Sequence, residues 1–294
     1  MDGLIIVNKE SGMSSQTVVN KVKRLLGAKK AGHTGTLDPM ATGVLPVLLD
    51  RGVKASEFML TREKHYRAIL TLGITTDTED ITGEVLCRSD EIPTEDEVLA
   101  AVSSFVGEYY QTPPMYSALK IDGKKLYELA REGKVVEREA RLVKIFSLSA
   151  VRLSEREYSL EIHCSKGTYV RTLCSDIGKK LGAGGVMSAL ERTEASGFVL
   201  KDAYTLSELE RMSEEERLSS VLAVERVFEG LKKVVLQPFF ARLASCGVEI
   251  YLKKIGLAAE LGERFRLYSE SGFFAVGEVR EFEEGLAIKP IRQF

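Results

Sequence analysis

The segment AGHTGTLDPMATG, residues 31–43, constrains this chain more than any other, because it is too rich in Gly, Thr and Pro to be anything but an irregular loop, yet patterned sequence flanks it on both sides. Before it, LIIVN at residues 4–8 reads as a buried strand. Ser14 or Ser15 then caps a helix whose Val18, Val19, Val22, Leu25 and Leu26 recur at helical spacing until Gly27 ends it. After it, VLPVLL reads as an apolar strand. Gly32, Gly35 and Gly43 permit backbone conformations closed to other residues, and Pro39 fixes the turn directly after Asp38, so this carboxylate sits on a stiff loop. Two readings stand at this point, a positioned acid and an ordinary turn residue, and Asp before Pro in a Gly-rich loop is more often the latter. A phosphate-cradling nucleotide loop is discarded: G-x-x-x-x-G-K-[ST] is absent, and Val44 follows Gly43 where a lysine would be needed.

Further along, HYRAILTLG alternates as a strand with Tyr66, Ala68, Leu70 and Leu72 on one side, and TTDTEDITG is a polar turn region. Thr94 and Glu97 form a capping box that starts a helix reaching about Phe105. The prolines of QTPPMYSALKIDG exclude a helix there, and KKLYELAREG is a short basic helix stopped by Gly133. Residues 141–163 read as two strands. TYVRTLCSDIGKKLG is a helix with Val170, Leu173, Ile177 and Leu181 on one face. From about Lys201 acidic helical segments lead, near Leu231, into short strand-like runs punctuated by glycines: a small β domain that leans on the larger one for stability.

With 294 residues, 44% of them apolar, the chain can bury a sizeable core. MDGLIIVNKESG contains neither a signal peptide nor a membrane span, so a cytoplasmic location is expected. Cys87, Cys164, Cys174 and Cys246 form no C-x-x-C pair and are expected as buried reduced thiols. His33, His65 and His163 are too scattered for a zinc site, so no metal is expected. A net charge of -2 argues against a nucleic-acid partner, but the average hides a segregation. Residues 1–70 carry eleven Lys+Arg against six Asp+Glu, whereas residues 201–230 carry four against eight, so a basic face could still guide a polyanion.

GHTGTLDPMATGVLP resembles the signature loop of the TruB-type bacterial tRNA pseudouridine synthases. NKESGMSS, KHYRAILTLGITTDTED, PPMYSALKIDGKKLYELAREG and HCSKGTYVRTLCSDIG resemble further family segments in the same order. The resemblance is strong over roughly residues 3–200 and weaker beyond. It implies an α+β pseudouridine synthase fold, a mixed, mainly antiparallel sheet with flanking helices, over residues 1–230. An RNA-clasping insertion at about 113–141 and a small PUA-like RNA-binding β domain at 231–294 complete it. The implied activity is that of an isomerase converting uridine 55 of the tRNA T loop to pseudouridine by base flipping, without cofactor, guide RNA or obligatory protein partner. Asp38 then matches the family's catalytic aspartate, Arg171 the arginine that pairs with it, and Tyr66 the tyrosine that stacks on the target base. His33 matches the histidine that fills the space vacated in the RNA, Asp80 an acid at the pocket edge, and Tyr169 a second wall of the pocket. Lys9, Lys64 and Arg67, with Lys120, Lys124 and Lys125, are candidates for phosphate contacts, which supply affinity without reading sequence.

The chain departs from the family pattern at DRGVKAS after VLPVLL, where Lys54 is kept but its surroundings differ. Two rivals are an enzyme of the guide-RNA-dependent branch related to dyskerin, which shares the aspartate loop, and an inactive RNA-binding protein on the same fold. PPMYSALK and KKLYELAREG favour a stand-alone enzyme, and the presence of Asp38, Tyr66 and Arg171 favours an active one.

Overall fold

In the computed structural model, which describes residues 2–121 and 123–294, two sheets organise the chain. The first part contributes β1 (Gly3–Lys9), α1 (Ser15–Leu25), β2 (Ala31–His33), β3 (Thr42–Leu49), α2 (Ser56–Leu60), β4 (Lys64–Leu72), β5 (Ile74–Thr76), β6 (Val85–Arg88), α3 (Glu95–Ser103) and β7 (Gly107–Gln111). There follow β8 (Lys120–Ile121), β9 (Lys124–Lys125), α4 (Leu126–Arg131), β10 (Arg141–Arg152), β11 (Glu157–Cys164), α5 (Val170–Lys180), β12 (Gly185–Ala195) and β13 (Phe198–Val199). The main sheet runs β1-β3-β12-β4-β11-β10-β7, with β2 added on β3 and β13 on β12. Every neighbouring pair is antiparallel except β3 and β12, which run parallel and bring Thr42 opposite Glu191 and Gly43 opposite Arg192.

The residue pattern accounts for these elements. In β4 the side chains of Lys64, Tyr66, Ala68, Leu70 and Leu72 are buried and the alternate ones are not, the period of a strand with one face on the core. β1 and β3 are buried on both faces, hence their unbroken apolar runs. Ser14 caps α1 by accepting from the amide of Thr17 at 3.1 Å, and Thr94 and Glu97 close the reciprocal box on α3. Ser15, the alternative cap, has a different task described below.

α1, α3 and α5 cover one face of the main sheet, where Val18, Val22, Leu70, Leu160, Leu173 and Ile177 belong to a single core. After two short acidic helices, α6 (Leu206–Arg211) and α7 (Glu214–Ser219), the chain builds a second sheet of five strands with order β14-β16-β17-β18-β15. These strands are β14 (Lys232–Val235), β15 (Ile250–Tyr251), β16 (Arg264–Ser269), β17 (Gly272–Phe282) and β18 (Gly285–Gln293), accompanied by α8 (Pro238–Ser245) and α9 (Leu252–Ile255). Val276 of β17 is buried in one cluster with Leu4, Ile6, Val44 and Phe228, and Phe273, Ile291 and Phe294 pack against it. The small domain therefore completes a core that the N-terminal strands begin, the dependence expected from its size.

Two sequence expectations are corrected. The Gly-rich stretch is not wholly irregular: Ala31, Gly32 and His33 pair with Leu49, Leu48 and Val47, because the free edge of β3 offers hydrogen bonds that outweigh weak local propensity. Only Cys164 and Cys174 are buried, while Cys87 and Cys246 are exposed, one on a short strand whose side chains all face solvent and the other just beyond α8.

Candidate active site

The loop between β2 and β3 is fixed at alternate residues by polar side chains from three separate elements. Ser15, on the first turn of α1, accepts from the amide of Leu37 at 2.8 Å and donates to its carbonyl at 2.9 Å. Lys9, at the end of β1, donates to the carbonyls of Pro39 at 3.0 Å and Ala41 at 2.6 Å, and also to that of Glu10 at 3.0 Å. Arg192, on β12, donates from Nη2 to the carbonyl of Gly35 at 3.1 Å and from Nε to that of Val44 at 2.7 Å. All three side chains are buried, so each spends its polar atoms on backbone and not on solvent. Gly43 makes the close approach of β3 to β12 possible. Its φ is +103°, and a Cβ there would lie 2.3 Å from the carbonyl oxygen of Arg192.

Asp38 projects from the middle of this braced loop. Arg171, the second residue of α5, places Nε 3.0 Å from Oδ2 and Nη2 3.4 Å from Oδ1, so one guanidinium edge meets both carboxylate oxygens. The same guanidinium donates to the carbonyls of Tyr116 at 2.9 Å and Thr78 at 3.3 Å and lies 3.5 Å from Asp80. Its side chain is 7% exposed, against 35% for Asp38, so the arginine lies beneath and the carboxylate is the partner that solvent or a substrate can reach. Burial raises the Asp38 carboxyl above its ordinary range, with Arg171 opposing the rise and Asp80 adding to it. Asp80 is itself buried and accepts from the hydroxyls of Thr78 and Thr82 and from the amide of Thr82.

Tyr66 is buried on β4, and its phenol is pushed up by burial, with Arg192 opposing through charge and a hydrogen bond; it is a neutral hydroxyl that also feels the charge of Asp38. Tyr169 immediately precedes α5. Its amide donates to Gln111 Oε1 at 2.8 Å and its carbonyl accepts from Gln111 Nε2 at 3.0 Å, so one buried amide side chain fixes the start of the helix that carries Arg171. His33 lies on β2, half-buried, with its proton affinity lowered by burial and by Arg192; the ring is therefore neutral near pH 7, a state suited to stacking.

The lysine and arginine candidates are distributed differently from the expectation. Lys9 is fully buried with its donors spent on three carbonyls, and Lys64 is 8% exposed and donates to the carbonyl of Arg62 at 3.0 Å. Neither presents an ammonium to a phosphate. Burial lowers Lys9 to about 8, the nearby Asp38 opposing. Arg67 is exposed but occupies the other face of β4 from Tyr66, as adjacent strand residues must, between Glu161 at 2.7 Å and Glu191 at 3.4 Å. Lys124 is exposed, and Lys125 donates to the Tyr127 hydroxyl at 3.2 Å. The side chain of Lys120 lies outside the described residues. Ser15, Gln111 and Arg192 were not among the sequence candidates. A buried serine, amide or arginine acting on backbone carries no local motif, although the helical spacing of Val18, Val19 and Val22 alone puts Ser15 on the inner face of α1.

Comparison with known proteins follows this geometry. Residues 23–170 match the model for the TruB family pseudouridylate synthase N-terminal domain, and residues 171–236 that for the tRNA pseudouridylate synthase B C-terminal domain, so most of the five-stranded sheet lies beyond both. The chain is 43% identical to the tRNA pseudouridine synthase B of Alkaliphilus oremlandii, across 95% of this chain and 94% of that one. It is 39% identical to that of Clostridium perfringens, across 99% of each. Among solved structures, that of a Cbf5-Nop10-Gar1 complex contains a chain similar at a TM-score of 0.75 and 25% identity, over 99% of this chain and 84% of that one. Family model, full-length relatives and fold agree, and the chain belongs to the TruB family of pseudouridylate synthases.

Proposed function

We propose that this enzyme isomerises uridine 55 in the T loop of tRNA to pseudouridine, with Asp38 as the catalytic carboxylate and with no guide RNA, cofactor or obligatory protein partner, in the cytoplasm. The reaction breaks the C1'–N1 bond, turns the freed uracil and joins C5 to C1'. The C5 proton leaves and N1 gains one, so atoms balance without any redox change, and nothing beyond acid–base and nucleophilic groups is required. Asp38 acts either by adding to C1' or by taking the 2' proton to give a glycal-like intermediate. In this reading Tyr66 stacks on the base and moves the C5 proton, and Tyr169 forms the second wall.

The observation that carries the reading is the buried guanidinium of Arg171 set 3.0 Å from the more exposed carboxylate of Asp38. It keeps an otherwise buried acid ionisable and aimed. Because the target base is stacked in folded RNA, it must be everted at a cost of a few kcal/mol. His33 on the loop edge fills the gap, and the 113–141 segment, whose Tyr116 already touches Arg171, closes over the arm. The names of the relatives support tRNA as the substrate.

The test is to incubate the purified protein alone with an unmodified tRNA transcript and map pseudouridine along it. Conversion at position 55 is expected. Conversion only when a guide RNA is added assigns the protein to the guide-dependent branch, and binding without conversion makes it an inactive RNA binder.

A further inference from the structure

We propose that Gln111 and Glu79 are positioning residues for the reaction: together they hold the first turn of α5, so that the guanidinium of Arg171 meets Asp38. This rests on the reading of Asp38 and Arg171 above and extends it to two side chains that, among the described residues, hydrogen-bond to neither. α5 begins without a cap of its own. Tyr169 stands at the N-cap position with no side-chain hydrogen bond to the following amides, and no acidic residue occupies the first turn. A helix start of that kind frays readily, because its first amides have no intrahelical partner. Arg171 sits in that turn, yet it must present two nitrogens to the two oxygens of Asp38.

Two side chains from separate elements supply what the helix lacks. Gln111 ends β7 and is buried. Its Oε1 accepts from the Tyr169 amide at 2.8 Å and its Nε2 donates to the Tyr169 carbonyl at 3.0 Å. That carbonyl also accepts from the Leu173 amide at 3.0 Å, so Gln111 grips both the residue before the helix and the bond that opens it. Nε2 bonds in addition to the hydroxyl of Tyr109, whose ring packs edge-on against Phe105, and the amide group is thereby held in one orientation. Glu79 acts on the other side of Arg171, where its carboxylate accepts from the buried hydroxyl of Thr172 at 2.5 Å.

Glu79 is itself fixed. It stands at a φ of +64°, a region that non-glycine residues seldom occupy, and its carbonyl accepts from the Met187 amide of β12 at 3.1 Å. Adjacent residues of this turn therefore meet adjacent residues of the helix: Glu79 holds Thr172, and Asp80 lies 3.5 Å from Arg171. A carboxylate beside the first turn also suits the positive end of the helix dipole. Residues 169 and 172 thus bracket Arg171, and each is tied to a strand of the main sheet, the first to β7 and the second to β12. The direction of the guanidinium is set by the sheet and not by the helix alone.

The test is release of tritium from C5 of uracil in a labelled tRNA transcript. It is read as kcat, KM and the acidic limb of kcat, on which Asp38 titrates in the company of Arg171, Asp80 and Lys9. Gln111→Met keeps length and neutrality and loses both polar atoms. kcat should fall about tenfold with KM within about twofold of wild type. The limb should move alkaline, because no charge has changed and a displaced Arg171 no longer opposes the rise of the Asp38 carboxyl. Thr172→Val should lower kcat in the same way, whereas Thr172→Ser restores the hydroxyl and should turn over like wild type; this pair carries the test if Gln111→Met does not fold. Leu267→Ala opens the core of the second sheet and should lower Tm without moving the limb, which separates lost stability from lost position. A further readout needs no turnover: amide hydrogen exchange at Tyr169 and Leu173 should quicken in Gln111→Met. Wild-type kcat and limb in Gln111→Met, equal losses in the two Thr172 variants, a shifted limb in Leu267→Ala, or unchanged exchange overturns the proposal. Failure of the wild type to form pseudouridine counts against the functional reading, and the exchange measurement then decides the hold on α5 by itself.

Discussion

Replacing Arg171 by methionine tests the central geometry, because the side chain keeps its approximate length and loses its charge and every donor. Two carboxylates, Asp38 and Asp80, would then share a pocket without the cation between them, and the carbonyls of Thr78 and Tyr116 would lose a partner. Removing one member of a buried ion pair costs about 3–5 kcal/mol. Asp38 is 35% exposed, and the water at its open edge screens part of that, so about 2–3 kcal/mol is the appropriate size. Without that cation, the Asp38 carboxyl, already raised by burial, rises further. The acidic limb of the kcat profile should therefore move alkaline, with turnover on that limb down by about 10²-fold and regained as pH rises. Arg171→Lys retains the charge but lacks the planar fork that reaches two carboxylates and two carbonyls. Its limb should stay near the wild-type position while kcat falls about tenfold. Release of tritium from C5 of uracil in labelled tRNA, followed from pH 5 to 9, measures both. An unmoved limb in the methionine variant, or near-normal turnover, would refute the pairing as the source of aimed charge.

Asp38→Asn should abolish turnover while keeping tRNA affinity within about threefold. Its urea midpoint at pH 7 should equal or exceed that of wild type. Burial raises the folded carboxyl, so stability is lost as pH rises from the ordinary carboxylate value through the raised one, and an amide avoids that loss; marked destabilisation contradicts the direction of the shift. For Lys9→Met the sign is opposite. The folded ammonium releases its proton near 8 and the unfolded one near 10.4, so wild type should gain roughly 3 kcal/mol on the variant between pH 8 and 10.5, as read from urea midpoints at both ends. Equal differences at the two pH values would show that Lys9 is not desolvated as described. Gly43→Ala drives a Cβ against the Arg192 carbonyl at positive φ and should cost more than about 2 kcal/mol by thermal unfolding; a wild-type Tm excludes the tight approach of β3 to β12.

What the sequence made legible was whatever depends on local pattern. β4, α1, α3 and α5 announce themselves by spacing and caps, and the Asp38 loop by its glycines and Pro39. The long strand β12 escaped notice because register shifts at Met187/Ala189 and Arg192/Glu194 break its alternation, and with it went Arg192. Lys9 and Lys64 looked like surface cations because a lysine is rarely buried, and only the tertiary structure reveals the carbonyls that compensate Lys9. Arg67 neighbours Tyr66 on a strand, so sequence alone already places it on the opposite face of the sheet. The bond between α5 and Asp38 was accessible only through family resemblance, because nothing local connects residue 171 to residue 38.

The three side chains that brace the Asp38 loop come from residues 9, 15 and 192. During synthesis the acid's own segment emerges early, but the arginine that holds Gly35 and Val44 is translated nearly 150 positions after Val44, and Arg171 only shortly before it. An incomplete or nicked polypeptide lacking that late strand thus possesses the aspartate without the frame that directs it. Completion of the main sheet, with β12 and α5 in place, is thus what gathers every side chain that holds Asp38 and its loop.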